Sequence, residues 1–145
     1  MIQARKRAGW LAQGILLVFL SGTVHGTLGR TGADIQALLD EGKDVALIAG
    51  EVIEVDRTLR VTQSGQVIYT DGAEDASQFG TIRHGEGSSG TLIEGYGIGA
   101  LRIHDLILDA NRSGFRTPEG ALNPVPMISL GGAGSEGQEI RRCIV

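Results

Sequence analysis

Asp105 and Asp109 stand four residues apart, and a pair of carboxylates is what glycosidic cleavage uses. On a straight strand that spacing spans about 13 Å, too wide for a close hydrolase pair. A corner between the two would alter the distance, and the plainer assignment is a pair of turn residues bonding local backbone amides. Asp71, Glu74 and Asp75 form an acidic loop whose oxygens are of the type that binds Ca²⁺. Their order does not match a calcium-loop pattern, so the loop reads as a solvated turn. His84 precedes Gly85-Glu86-Gly87 and His104 sits beside Asp105, both read as surface-loop histidines. Gly95-Tyr96-Gly97-Ile98-Gly99 is glycine-rich, but no helix or Lys-Ser/Thr follows it. It therefore reads as a tight turn rather than a nucleotide loop. Cys143 is the single cysteine, which excludes an internal disulfide, and is expected to be a small buried apolar residue of the last strand.

The longest break between apolar segments runs from Arg112 to Asn123. Insertions in repeat folds collect on one face and often bind there. Arg112, Phe115 and Arg116 could stack on a sugar or grip a carboxylate, and they are the candidate ligand-contacting residues. Asn111-Arg112-Ser113 is also an N-glycosylation sequon, meaningful only in a glycosylating host. No catalytic residue, cofactor site or metal site can be assigned.

The elements that would position these groups are short. Thr31-Gly32-Ala33-Asp34 has the form of a capping box, Ile35, Leu38 and Leu39 share one helical face, and Gly42 suits a C-terminal cap. The helix expected over about 34–41 is too short to stand alone and has to cover apolar surface. After it come brief β segments at 45–48, 52–55, 59–61, 67–69, 81–83, 91–93, 101–103, 106–108, 127–130 and 140–145, mostly divided by Gly or Asp. No second helical pattern is present, which removes βαβ crossovers. The few aromatic residues argue against a sandwich or barrel core. A parallel β-helix fits better, with its short strands and aliphatic interior. The 22-residue spacings from Val45 to Val67 and from Leu106 to Ile128 support it loosely. The stretch around Asp105 supports it more directly. Leu101 and Ile103 alternate in one phase, Leu106 and Leu108 in the other, so only a bend at His104-Asp105 can bury all four.

From about Ala33 to Arg112 the sequence resembles the N-terminal part of the pectin-lyase-like, right-handed parallel β-helix family. Asp34–Gly42 is similar to the cap helix, and Asp44–Ile53 to the first rung, with Ala49 and Val52 departing from common choices. Ile103–Arg112 is similar to a recurrent rung in which Asp105 and Ala110 replace the usual residues. The resemblance implies an all-β, right-handed parallel β-helix with a short capping helix. It does not by itself imply an activity, because the fold serves lyases, hydrolases, epimerases, tail spikes and proteins of no known activity.

Arg5, Lys6 and Arg7, the apolar run from Trp10 to Leu20 and the small residues through Gly26 read as a cleaved signal peptide. Residues 1–26 are then the signal, 27–42 a linker and capping helix, and 43–145 the first coils. The open apolar run ending at Val145 reads as an incomplete C-terminal edge, so the chain is expected to be an N-terminal fragment. Cleavage removes three bases and no acids, leaving ten bases against 17 acids, a net charge of −7. That balance disfavours nucleic acid as a partner, and no stable membrane insertion is expected after cleavage. The combined expectation is a secreted, periplasmic or cell-surface β-helix protein that binds or acts on polysaccharide and is inactive by itself. If the full-length protein is an enzyme, it is a lyase or glycoside hydrolase, in which Ca²⁺ has a possible role. The alternative is a noncatalytic adhesin or structural protein.

Overall fold

The computed structural model describes residues 31–88, 90–111 and 126–145. The expected signal, residues 1–26, lies outside them, as do Arg112, Phe115 and Arg116. Among the described residues one α-helix, α1 (Gly32–Asp40), precedes nine strands, with a single 3-10 turn, Ala76–Gln78, between the fourth and the fifth. The strands are β1 (Val45–Ile48), β2 (Val52–Val55), β3 (Leu59–Arg60), β4 (Val67–Asp71), β5 (Gly80–His84), β6 (Ile93–Tyr96), β7 (Arg102–Asp109), β8 (Ile128–Gly131) and β9 (Glu139–Ile144).

The helix starts where its side chains can satisfy its own first turn. Thr31 Oγ1 accepts from the Asp34 amide at 3.1 Å, and the Asp34 carboxylate accepts from the Thr31 amide at 3.0 Å. The helix ends with Gly42 at φ 74°, a left-handed conformation that glycine adopts without a Cβ penalty. Its buried face is Ile35, Leu38 and Leu39, as expected. Below it, glutamines replace the missing helical and strand partners. Gln66 is 2% exposed and its Nε2 donates to the carbonyls of Leu39 (3.2 Å) and Lys43 (2.8 Å). Gln36 takes the Arg60 amide at 2.8 Å and donates to the Arg60 carbonyl at 2.9 Å. Because β3 ends its sheet, this side-chain amide occupies an otherwise open strand edge.

All pairings among the described strands are parallel. The larger sheet runs β1-β4-β7-β5-β2 with β9 also on β7, and the smaller runs β3-β6-β8. The fold is thus all-β apart from its short helix, with a curled parallel sheet. Inward residues form vertical columns: Val45, Ile68 and Ile103 lie opposite one another in turn, and Ile140 follows in the same register at the exposed edge. A second column is Leu59, Ile93 and Ile128.

These registers correct the 22-residue spacing. Val45 lies opposite Ile68, not Val67, and Ile128 lies opposite Ile93 rather than on Leu106. Parallel pairing matches inward residue to inward residue, and insertions at the corners lengthen the repeat without disturbing that match. One such insertion, 72–79, separates β4 from β5 at the place where β7 merely bends.

The bend itself is as anticipated. Asp105 has φ 58°, and Leu101, Ile103, Leu106 and Leu108 are all buried. The left-handed residue reverses the alternation and returns both halves of β7 to one interior. The first half pairs β4 and the second pairs β5. The glycine-rich segment is partly strand: Gly95 and Tyr96 belong to β6, and the turn begins at Gly97, φ 68°.

Candidate functional site

The β7–β9 corner gathers the charged groups. His104 lies opposite Arg141, and Leu106 opposite Cys143, so Asp105 and Arg142 occupy matching corners. Arg142 is left-handed too, with φ 49°. Its Nε approaches Asp105 Oδ1 at 2.5 Å, while His104 Nδ1 lies 2.7 Å from Oδ2. Arg142 thus meets Oδ1 and His104 meets Oδ2, one charged or polar side chain on each carboxylate oxygen. The Asp105 side chain is 6% exposed, covered by these two neighbours. Thr70 Oγ1 donates to the Asp105 carbonyl and accepts from the Gly80 amide at 2.8 Å. The corner is therefore held by a side chain from the layer before it and one from the layer after it.

Two sequence expectations change here. Asp105 bonds side chains rather than local amides, because its own backbone is committed to the turn and the stacked Arg142 supplies the cation. His104 is not on a surface loop; it sits on β7, with its ring stacked on Tyr69 at 5.4 Å and 25°. His84 is likewise corrected: it ends β5 and is fully buried. Gly85-Glu86-Gly87 suggested exposure, but the strand alternation sends the His84 ring inward.

Asp109 fits its expected role more closely. Its Oδ1 accepts from the Asn111 amide at 2.7 Å, and its Oδ2 pairs with Arg83 Nε at 2.7 Å. Contact with Arg142 is the main force holding the Asp105 carboxyl below its ordinary range, against desolvation and with help from His104. The Asn111 amide does the same for Asp109, with Arg83 adding to it. Both carboxylates are therefore held ionised. A general acid needs the opposite shift, so neither is poised to protonate a leaving group. Burial raises the Cys143 thiol, which keeps it protonated and a poor nucleophile. Cys143 is half-buried and packs on the core, less covered than expected because, among the described strands, β9 pairs only β7.

Beside Arg83 and Asp109 lies an open groove that also includes Thr81, Ile107, Ala110 and Met127. In the acidic loop, Asp75 Oδ1 accepts from the amide and hydroxyl of Ser77, a turn-capping arrangement. Among the described residues no group of three or more His, Cys, Asp or Glu side chains could hold a metal ion. Among them, too, no helix is long and apolar enough to cross a membrane.

Sequence reasoning missed Tyr69, Arg83, Arg141 and Arg142 as site residues. Their residue types suggest surface positions, but only the register shows which acid or ring each one meets. Compared with known proteins, the chain matches no family model, no curated protein and no solved structure.

Proposed function

We propose that these parallel layers are the coils of a right-handed parallel β-helix in an exported protein, and that their outer face binds polysaccharide without cleaving it. The observation that carries this reading is the pairing of both candidate carboxylates with arginines, Asp105 with Arg142 and Asp109 with Arg83. A carboxylate so neutralised orders the backbone and presents guanidinium groups outward; it does not donate a proton. The Tyr69–His104 stack beside Arg141 adds a flat aromatic surface of the kind sugars stack on. The basic and apolar N-terminal run supports export to the periplasm, the cell surface or the medium.

The test is to measure binding and cleavage on one panel of acidic and neutral polysaccharides. Calorimetry follows binding; reducing ends and absorbance of unsaturated products follow cleavage. Binding without turnover is expected. Turnover that disappears in Asp105→Ala or Asp109→Ala overturns the reading. Absence of both binding and turnover favours a structural or adhesive β-helix, the second reading that the all-parallel stacking accommodates.

A further inference from the structure

A second polar groove lies at the helix-capped end, away from the β7–β9 corner. Ser88 opens onto it, together with Gly87, Arg57, Thr58, Arg60 and Thr62. Behind Ser88 stands the buried ring of His84, with Nδ1 3.1 Å from Ser88 Oγ and Nε2 2.8 Å from the Gly90 carbonyl. A carbonyl can only accept, so Nε2 carries the proton and Nδ1 presents a lone pair to the serine.

We propose that Ser88 and His84 are a nucleophile–base pair for transfer of a short acyl group from an ester of a hydroxyl-rich alcohol. A nucleophile, a base in hydrogen-bond reach and a third group fixing the base is the arrangement that activates a hydroxyl. Gly90 is the third group here. The surroundings of Ser88 Oγ add to the argument. Three acceptors face it: the Gly85 carbonyl at 2.8 Å, His84 Nδ1 at 3.1 Å and the Val55 carbonyl at 3.3 Å. The hydroxyl has one proton to share among them, so activation has it turn from the Gly85 carbonyl to His84 Nδ1, a change of partner within hydrogen-bond reach. The serine follows Gly87, φ 77°, on a tight turn closed by the Ser88 amide on the Gly85 carbonyl at 3.1 Å.

The groove identifies the substrate class. Its walls are hydroxyls, guanidiniums and the carboxylates of Asp40 and Asp56, with no aromatic or long aliphatic side chain. That surface suits a polyol and leaves no apolar slot for a long acyl tail. In the reaction, Ser88 Oγ bonds to the acyl carbon, its proton moves to His84 Nδ1, and the ester C–O bond breaks. The leaving alkoxide takes that proton and departs as the alcohol. Water then repeats the sequence on the acyl-serine and releases the acid. This site is independent of the polysaccharide reading above, because it shares none of the residues on which that reading rests.

The experiment treats the full chain with a fluorophosphonate probe, maps the adduct by peptide mass spectrometry, and follows hydrolysis of p-nitrophenyl acetate. One adduct, on Ser88, is expected in the folded protein and is lost on unfolding in urea. Hydrolysis should fall at least tenfold in Ser88→Ala and in His84→Gln. Folded wild-type protein with no adduct on Ser88 overturns the proposal, whatever the variants do. Hydrolysis unchanged in Ser88→Ala overturns it as well.

Discussion

At the residue scale, Asp105 carries three tasks at one position. It turns the chain with a positive φ, carries a covered negative charge, and joins β7 to β9 through Arg142. Substitutions separate these. A left-handed non-glycine residue without a local polar side chain costs roughly 1–2 kcal/mol, whereas glycine adopts that φ freely. Asp105→Ala is therefore expected to destabilise more than Asp105→Gly, with Asp105→Asn between wild type and alanine, as read by urea midpoints. Equal midpoints for alanine and glycine would show that backbone strain is absent. The charge has its own signature in pH. A carboxylate whose folded pKa is depressed adds stability above its unfolded value of about 3.9 that is lost as pH falls through the folded value. The stability that Asp105 and Asp109 add should be level from pH 7 to 5 and decline below about pH 4. The decline should be shallower in Asp105→Asn. An equally steep acid limb in that variant would remove the pair from the account of acid unfolding.

At the element scale, the helix and the first strands are joined by side-chain amides as much as by apolar packing. Gln66 satisfies two carbonyls where α1 gives way to β1, and it is buried while doing so. Leucine at this position would leave those carbonyls without their donor, and an unsatisfied buried polar group costs about 1–3 kcal/mol. Gln66→Leu should lower stability by that order in denaturant titration, despite the greater hydrophobicity of leucine. Thr31→Ala, which breaks the capping box at an exposed position, should cost about 1 kcal/mol. Gln66→Leu at wild-type stability would mean that water reaches those carbonyls. Gly80 is a different kind of constraint. A Cβ there would lie 2.8 Å from Leu47 Cβ and 3.0 Å from its Cδ2. Gly80→Ala should therefore overpack the core beneath β5, typically at 1–3 kcal/mol.

At the scale of the whole molecule, protection is unequal along the stack. One end is covered by α1, and β7 is paired by β4, β5 and β9. Among the described strands β9 pairs only β7, and Ile140 (51%), Ile144 (45%) and Val145 (78%) are exposed. Hydrogen exchange should be slowest in β7 and fastest, among the strands, in β9. Matching protection in the two would refute this gradient. An apolar strand edge also invites pairing between copies. Sedimentation velocity should find concentration-dependent association that Ile140→Lys reduces.

The helix, its cap and its buried face were legible in the residues because they depend on neighbours three and four positions apart. The corner at Asp105 was legible for the same reason: four apolar side chains out of phase within eight residues demand a bend between them. The sequence by itself thus determined the local elements and a strand-rich, aliphatic interior. It did not determine the register, since matching Val45 to Ile68 depends on loop lengths and on which side chains stack, not on a fixed repeat. For that reason Arg142 could not be paired with Asp105, nor Arg83 with Asp109, before the layers were assembled. The burial of His84 against Ser88 was hidden in the same way, behind a glycine-rich stretch that looks exposed when read in line. Tertiary structure decided these contacts because each joins residues brought together only by the stacking of parallel strands, or by the inward face a strand presents to the core.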